Sequence, residues 1–519
     1  MHLNKIKFRK YFFLILVLLF SKNIIAQKKP NVVVILADDM GYSDIGIFGS
    51  EIKTPNLDAL GNGGVLFNQF YNAGRCCPSR ASLLTGMYPH QAGMGAMVTT
   101  SKYDHNKAFQ PYQGFLNLAT PTIAEELKKN GYQTLMTGKW HVGEQKEDWP
   151  NQRGFDHYFG LISGANSYYE LLSRRQMIED NRKFIPDEKF YMTDAISDKA
   201  IAYLQNTNPS NPFFLYVAYT APHWPLHAPK NIIDQYRNTY TKGWEVLRQQ
   251  RFKKQRQLGR LKNVAQLPPI DPTIAKFDTI ASPTLWIDKM ATYAAMIQVM
   301  DEGIGRIIQK VKDLGEWENT VFIFLSDNGG CHEILDDRSI VDLGEEGYKK
   351  SLVSPVGSKG SYTTYGKEWA SASNTPFRMY KHWMHEGGIS TPLLVYFPKL
   401  IKKGFQTDQV SHIMDLFPTI MELTQTKYSN AIEGKSLVPI LKKENKPMHE
   451  FIAWEHQGNR AIREGDWKLV WDDEIKKWEL YNIKNDRIEV NDLANSLPEK
   501  RKDLITKYNQ WALKVGVKK

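Results

Sequence analysis

The segment Asn31–Asp39, NVVVILADD, decides the reading of the fold. From Val32 to Ala37 every residue is apolar, the first four are β-branched, and polar residues never alternate with them. A strand wetted on one face alternates, so an unbroken run marks a strand covered on both faces, as in a parallel sheet between helix layers. The chain repeats the theme. Thr120-Pro121 reads as a helix start, with Thr at the cap and Pro in the first turn, Gly131 as its end, and Tyr132–Thr137 as a strand. Thr193–Leu204 reads as a helix before the strand Phe213–Ala218, and Lys289–Leu314 as a long helix before Val321–Leu325. Leu393–Phe397 adds a strand and Asp415–Leu423 a helix. Helices alternating with buried strands predict an α/β sandwich.

The pattern changes after about Asn445. Phe451–Trp454, Trp467–Trp471 and Trp478–Tyr481 read as short strands between charged turns, followed by a helix from about Pro498. The expected division is a large domain over residues 27–445 and a small C-terminal α+β subdomain over 446–519, an antiparallel sheet plus a helix. Asp337–Ser373, rich in Gly and Ser and without periodicity, is expected to be a long functional loop or lid.

The formal charge of +11 suggests an anionic partner until it is located. Lys5, Lys7, Arg9 and Lys10 precede the apolar run Tyr11–Phe20, and Ala26 follows, the pattern of a secretory signal peptide over residues 1–26. The run is short for a bilayer, so no stable membrane anchor is expected, and the mature chain is expected to be exported, periplasmic or secreted. With Lys22, the peptide carries five basic residues and no acid, and its removal leaves +6. Seven more basic residues lie between Arg248 and Lys262, and without them the remainder is −1. That run is expected to be a surface helix with a solvated face, or else an anion-attracting rim of a cleft, and nucleic acid is not an expected partner. The three cysteines make no disulfide framework, and adjacent Cys76 and Cys77 are poorly placed to pair with each other. Nothing in the sequence sets an oligomeric state.

Ligands of open α/β sheets gather beyond the C-terminal ends of strands, and two such ends are acidic here. The first strand runs into Asp38-Asp39, and Val321–Leu325 into Ser326-Asp327-Asn328-Gly329. Either alone also reads as a cap or a turn; together they offer the carboxylate and amide oxygens that hard divalent cations take. The third element is CCPSRASLLTG, Cys76 to Gly86. A Cys at a helix start beside Arg80 is a candidate nucleophile of lowered pKa.

The pattern C-x-P-S-R-x-x-x-L-T-G, carried by Cys76, Pro78, Ser79, Arg80, Leu84, Thr85 and Gly86, resembles the signature of the type I sulfatases of the alkaline phosphatase superfamily. The resemblance runs through most of the chain. GKWHVG supplies Lys139 and His141, APHWPLHAP supplies His223, SDNG supplies Asp327 and Asn328, and SNTPFRMYKHWMHEGG supplies Lys381. Tyr236 to Leu267 resembles an insertion of bacterial arylsulfatases, whereas Asn485–Ala494 is a loose version of the family's strand-to-helix stretch. The resemblance implies an alkaline-phosphatase-like fold, a large, mostly parallel mixed sheet sandwiched by helices with a small C-terminal antiparallel sheet. It implies that a maturation enzyme converts Cys76 to formylglycine, whose hydrate attacks the sulfur of a sulfate ester. Asp38, Asp39, Asp327 and Asn328, together with the converted Cys76, would hold one divalent metal, calcium. Arg80 and Lys139 would stabilise the diol and the sulfate. His223 with Lys381 would serve the leaving oxygen, His223 as the acid that protonates it, and His141 would take the second hydroxyl's proton to expel sulfate. The expected substrate is a sulfated small molecule or carbohydrate. The alternatives are a phosphonate or phosphate ester hydrolase of the same superfamily and a homologue that binds sulfated glycans without cleaving them. His227, His332, His385, Asn166, Tyr168 and Trp369 are further candidates for the pocket.

Overall fold

The computed structural model describes residues 28–98, 110–261, 263–428, 431–445 and 447–518. The signal peptide expected over residues 1–26 lies outside them. Asn31–Ala37 is a strand at the middle of a ten-stranded sheet. Its parallel neighbours are Phe213–Ala218 and Thr320–Ser326, and Gln133–Gly138 lies parallel beyond the first of these. Leu393–Tyr396 runs antiparallel to Thr320–Ser326, making the sheet mixed. The apolar run is continuous because each face of the strand has its own core. Val33 and Ile35 pack with the helices Met192–Gln205 and Pro283–Asp313. Val32, Val34 and Leu36 pack with Cys76–Thr85, Ile123–Lys129 and Leu416–Leu423 on the other side.

A four-stranded antiparallel sheet runs Phe451–His456, Asn459–Glu464, Trp467–Asp472 and Lys477–Asn482. One face holds Leu469 and Leu480 against Leu504, Tyr508 and Trp511 of the helix Pro498–Val515. The other packs Trp454 and Val470 on Tyr71, Met384 and Ile389 of the large sheet's layers. Buried ion pairs fasten the join: Lys468 reaches Glu386 at 2.9 Å and Glu489 at 2.8 Å, and Arg487 reaches Glu386 at 3.3 Å. The loose stretch Asn485–Ala494 is therefore a clamp between the two sheets.

Three expectations are corrected. The helix expected from Thr120 starts three residues later at Ile123, because Thr122 and Glu125 form a reciprocal capping box. Asp337–Ser373 is not irregular: the helices Asp336–Val353, kinked at Gly344 where φ is 71°, and Gly366–Ser373 occupy most of it. The basic run does form a helix, Gly243–Gln257, but Arg248 and Arg251 are buried on it. Arg251 pairs with Asp44 at 2.5 Å and with Glu51 at 2.9 Å, so part of the charge is internal structure. No helix among the described residues is long and apolar enough to cross a membrane.

Two buried histidines give the fold an acid limit. His227 Nε2 faces the Ser361 carbonyl at 2.6 Å while its Nδ1 accepts from the Tyr168 amide at 3.2 Å. His412 Nδ1 accepts from the Met414 amide at 3.3 Å. A proton on either acceptor nitrogen breaks its bond, and burial pulls His227 down to about 4 and His412 to about 3. Unfolded imidazole titrates near 6.5, so between these values the unfolded chain binds more protons. Stability is then full above about pH 6.5 and falls toward pH 4, on the order of 1 kcal/mol per group for each pH unit. Denaturant midpoints at about pH 7.5 and about pH 5 should differ accordingly, and His227→Gln should flatten the slope; equal midpoints would contradict the argument.

Candidate active site

Four parallel strands end at one edge of the sheet and deliver the polar residues there. Ala37 is in register with Ser326 and Gly138 with Ala218, so Asp38, Asp327 and Lys139 leave their strands side by side, with His223 in the turn beyond Ala218. Cys76 opens the helix Cys76–Thr85 and comes up beneath them. The ten residues to which the resemblance gives a role at the nucleophile, the metal, the sulfate or the leaving oxygen meet here, and all are buried.

Lys139 Nζ donates to Asp38 Oδ2 at 2.5 Å, and Lys381 Nζ to Asp39 Oδ2 at 2.8 Å. Arg80 Nε and Nη2 both donate to Asp327 Oδ2, at 3.1 and 2.9 Å, while its Nη1 holds the Lys139 carbonyl at 2.8 Å. The lysines and Arg80 thus occupy one oxygen of each carboxylate. Asp39 Oδ1 receives Asn328 Nδ2 at 2.7 Å and Asp327 Oδ1 receives the Asp39 amide at 3.2 Å, while Asp38 Oδ1, 3.6 Å from Arg80 Nη2, and Asn328 Oδ1 are buried with no hydrogen-bond partner among the described residues. Orphaned buried oxygens are costly unless something takes them, and an all-oxygen set of carboxylates and one amide fits a hard divalent cation. Asp38, Asp39 and Asp327 balance Arg80, Lys139 and Lys381 in charge, so a bound dication would turn the cluster net positive toward an anion.

The Cys76 sulfur lies 3.9 Å from Asp39 Oδ1. Burial pushes the thiol well above its ordinary pKa, and Lys139 and Lys381 do not overcome that. The lowered pKa expected from the helix start and Arg80 is therefore not found, because Arg80 is committed to Asp327. Burial also pushes the Asp38 carboxyl upward, against the opposing pull of Lys139 and Arg80. Burial works the same way on Asp39, but Lys381, His223 and Lys139 outweigh it and hold that carboxyl below the usual range. His223 Nδ1 is 2.7 Å from the Trp224 carbonyl, which fixes the proton there and leaves Nε2 facing Lys381 at 3.5 Å and Asp39 Oδ2 at 3.3 Å. Burial, helped by Lys381 and Lys139, pulls His223 down to about 3. His141 is likewise held neutral by burial beside Lys139 and Arg80, and its Nδ1 has no hydrogen-bond partner among the described residues. Asp39 and His141 have φ of 64° and 56°, strained values for residues with a side chain, at the point where chemistry concentrates. Gly164 abuts the His141 ring so closely that a Cβ there would lie 2.6 Å from it.

Cys76, His141, His223 and Lys381 line a pocket of about 350 Å³ whose wall includes residues the sequence did not reveal. Glu333 receives Arg75 Nη2 at 2.6 Å and the Trp224 indole at 2.9 Å, and lies 3.7 Å from Lys381. Their only sequence signal was position, Arg75 next to Cys76 and Glu333 a few residues after Asp327. The further candidates are mostly structural. Trp369 is sealed against Trp244 and donates to the Trp286 carbonyl at 2.8 Å. The Tyr168 hydroxyl donates to the Thr220 and His223 carbonyls, holding the His223 turn. Asn166 bonds the carbonyls of Ser167 and Glu170, and His385 bonds Glu479 at 2.8 Å under the small sheet. His227 is bonded as described, and His332 stacks on Tyr380 in a neighbouring cavity.

A mixed sheet under helices thus carries, at its strand ends, a buried cysteine beside a set of carboxylate and amide oxygens. Residues 30–426 match the Sulfatase family, and residues 377–513 match the C-terminal part of N-sulphoglucosamine sulphohydrolase. The chain belongs to the sulfatase family and is a sulfuric ester hydrolase. It is 35% identical to an uncharacterised sulfatase of Schizosaccharomyces pombe over 95% of each chain. It is 33% identical to the arylsulfatase of Klebsiella aerogenes, over 80% of this chain and 91% of that one. The crystal structure of Ps i-CgsB in complex with k-i-k-neocarrahexaose matches with a TM-score of 0.68, at 26% identity and over 93% of each chain.

Proposed function

We propose that this chain is an exported sulfatase that removes sulfate from a carbohydrate, using formylglycine made from Cys76 by a maturation enzyme and one divalent cation, calcium. The observation that carries the reading is the seat of Cys76, buried between Asp39 and the ammonium groups of Lys139 and Lys381. A buried, protonated thiol is a poor nucleophile. Hydrated formylglycine supplies an oxygen nucleophile, and the cation lowers that oxygen's pKa and offsets sulfuryl charge. Asp38, Asp39, Asp327 and Asn328 would hold the cation through their free oxygens. Arg80 keeps Asp327 aimed, and Lys139 and Lys381 place positive charge where negative charge develops. Neutral His141 is fit to take the proton of the second hydroxyl. His223 is neutral at rest, so the leaving oxygen's proton is held by the pair, Lys381 supplying it and Nε2 relaying it. A carbohydrate is supported by the match to a family named for N-sulphoglucosamine and by the hexaose bound to the structural relative. Export rests on the basic and apolar pattern of Met1–Ala26.

Mass analysis of the peptide holding residue 76, from protein made with a maturation enzyme, should show aldehyde in place of thiol, together with sulfate release from an aryl sulfate. Activity with unmodified cysteine throughout would overturn the mechanism. Treatment with a strong chelator should abolish sulfate release and lower the unfolding midpoint, because the site oxygens lose their partner; added calcium should restore both. Full activity in metal-free protein would remove the cation.

A further inference from the structure

Beside the catalytic pocket lies a larger cavity of about 980 Å³, walled by the large domain and by the turn between two strands of the small sheet. The two spaces meet at Glu333, which lines both. One wall is aromatic: His332 stacks on Tyr380 at 5.6 Å and stands edge-on to Trp383 at 4.6 Å, with Tyr380 preceding Lys381 in the chain. Two buried donors on this lining lack hydrogen-bond partners among the described residues. Trp383 is 7% exposed and its indole Nε1 has none. Arg248 is 6% exposed, its Nε has none, and its one hydrogen bond among the described residues is to the Pro268 carbonyl at 3.4 Å. Leaving such donors unmet costs on the order of 1–3 kcal/mol each, more for a charged group, unless a ligand takes them.

We propose that this cavity binds the sugar units adjoining the one that carries the sulfate, and that those units are uncharged. The inference rests on the carbohydrate sulfatase reading above. The C–H faces of a sugar ring pack on aromatic rings, and its hydroxyls accept from indole and guanidinium. The volume is in the range of ligand cavities and exceeds what the sulfated unit needs beside Cys76. Of the carboxylates on the lining, Glu333 is paired with Arg75 and Glu489 with Lys468, so Asp271, Asp472 and Glu474 match Arg248, Lys367 and Arg378 in number, and the lining has no excess of positive charge for a second sulfate or a uronate. Arg248 lies in the basic run, so one charge of that run belongs to the substrate cleft.

The test pairs each sulfated monosaccharide with the tetrasaccharide bearing the same single sulfate on its terminal unit, on galactan, fucan and glucosamine-containing backbones. For at least one backbone the tetrasaccharide should be favoured by about ten-fold or more in kcat/KM, mainly through KM. Arg248→Met and Trp383→Leu should each reduce the ratio of tetrasaccharide to monosaccharide kcat/KM toward one. Lys367→Ala, at the half-buried rim, should lower it in protein whose core is untouched. No gain on any backbone, or a gain kept in all three variants, would overturn the subsite. A better tetrasaccharide with a second sulfate on the adjoining unit would overturn its neutral character. Failure to release sulfate even from an aryl sulfate would instead defeat the sulfatase reading, and the subsite with it.

Discussion

Cys76→Ala should lower sulfate release from an aryl sulfate by at least about 10⁴-fold while the protein stays folded. The substitution removes the side chain proposed to become the nucleophile and touches little else. The Cys76 sulfur makes one weak contact, to Asp39 Oδ1 at 3.9 Å, and the carboxylates keep Lys139, Lys381 and Arg80. The cavity left by one sulfur atom costs on the order of 1 kcal/mol, well within the stability of a large domain. Cys77 provides the contrast. Its sulfur accepts from the Val98 amide at 3.5 Å and packs in the core under the sheet. Cys77→Ala should therefore keep its activity. The two variants are compared by sulfate release and thermal midpoint, and substantial turnover by Cys76→Ala would sink the assignment of the nucleophile.

The parts of the fold legible in the sequence are those set by local pattern. Asn31–Ala37 reads as a doubly buried strand because hydrophobicity alone records that both faces are covered. The order of strands across the sheet is a long-range property with no local signature. The helix Asp336–Val353 was missed because its glycines, among them Gly344 at φ 71°, hide a periodicity that is interrupted in the structure too. The polar cluster was legible because its members sit in short motifs, several at strand ends and Cys76 and Arg80 at the start of a helix. Glu333 and Arg75 were not: their importance comes from a 2.6 Å contact across 258 residues of chain. The failed expectation for the Cys76 thiol has the same origin. Sequence places Arg80 one turn from Cys76, but only the fold gives that guanidinium to Asp327.

Arg251→Met should destabilise the large domain by about 3–5 kcal/mol, the range for removing one partner of a buried ion pair. Arg251 is 1% exposed, and its guanidinium grips Glu51 through two bonds, Nε to Oε2 and Nη2 to Oε1, each 2.9 Å. A third bond goes to Asp44 Oδ1 at 2.5 Å. Methionine fills the space but leaves two carboxylates without their cation, and burial already raises the Asp44 carboxyl against the pull of Arg251. The damage reaches the active site along a short path. Asp44 Oδ2 receives the Gly41 amide at 2.8 Å and the Tyr293 hydroxyl at 2.7 Å, bracing the loop that leaves the sheet at Asp38-Asp39. Sulfate release should consequently fall as well. Adding Asp44→Asn and Glu51→Gln to Arg251→Met should recover much of the lost stability, because the penalty comes from stranded charge more than from the missing side chain. Unfolding midpoints of the parent, the single variant and the triple variant decide it. An Arg251→Met protein that unfolds with the parent would show that this guanidinium, for all its bonds, adds no net stability.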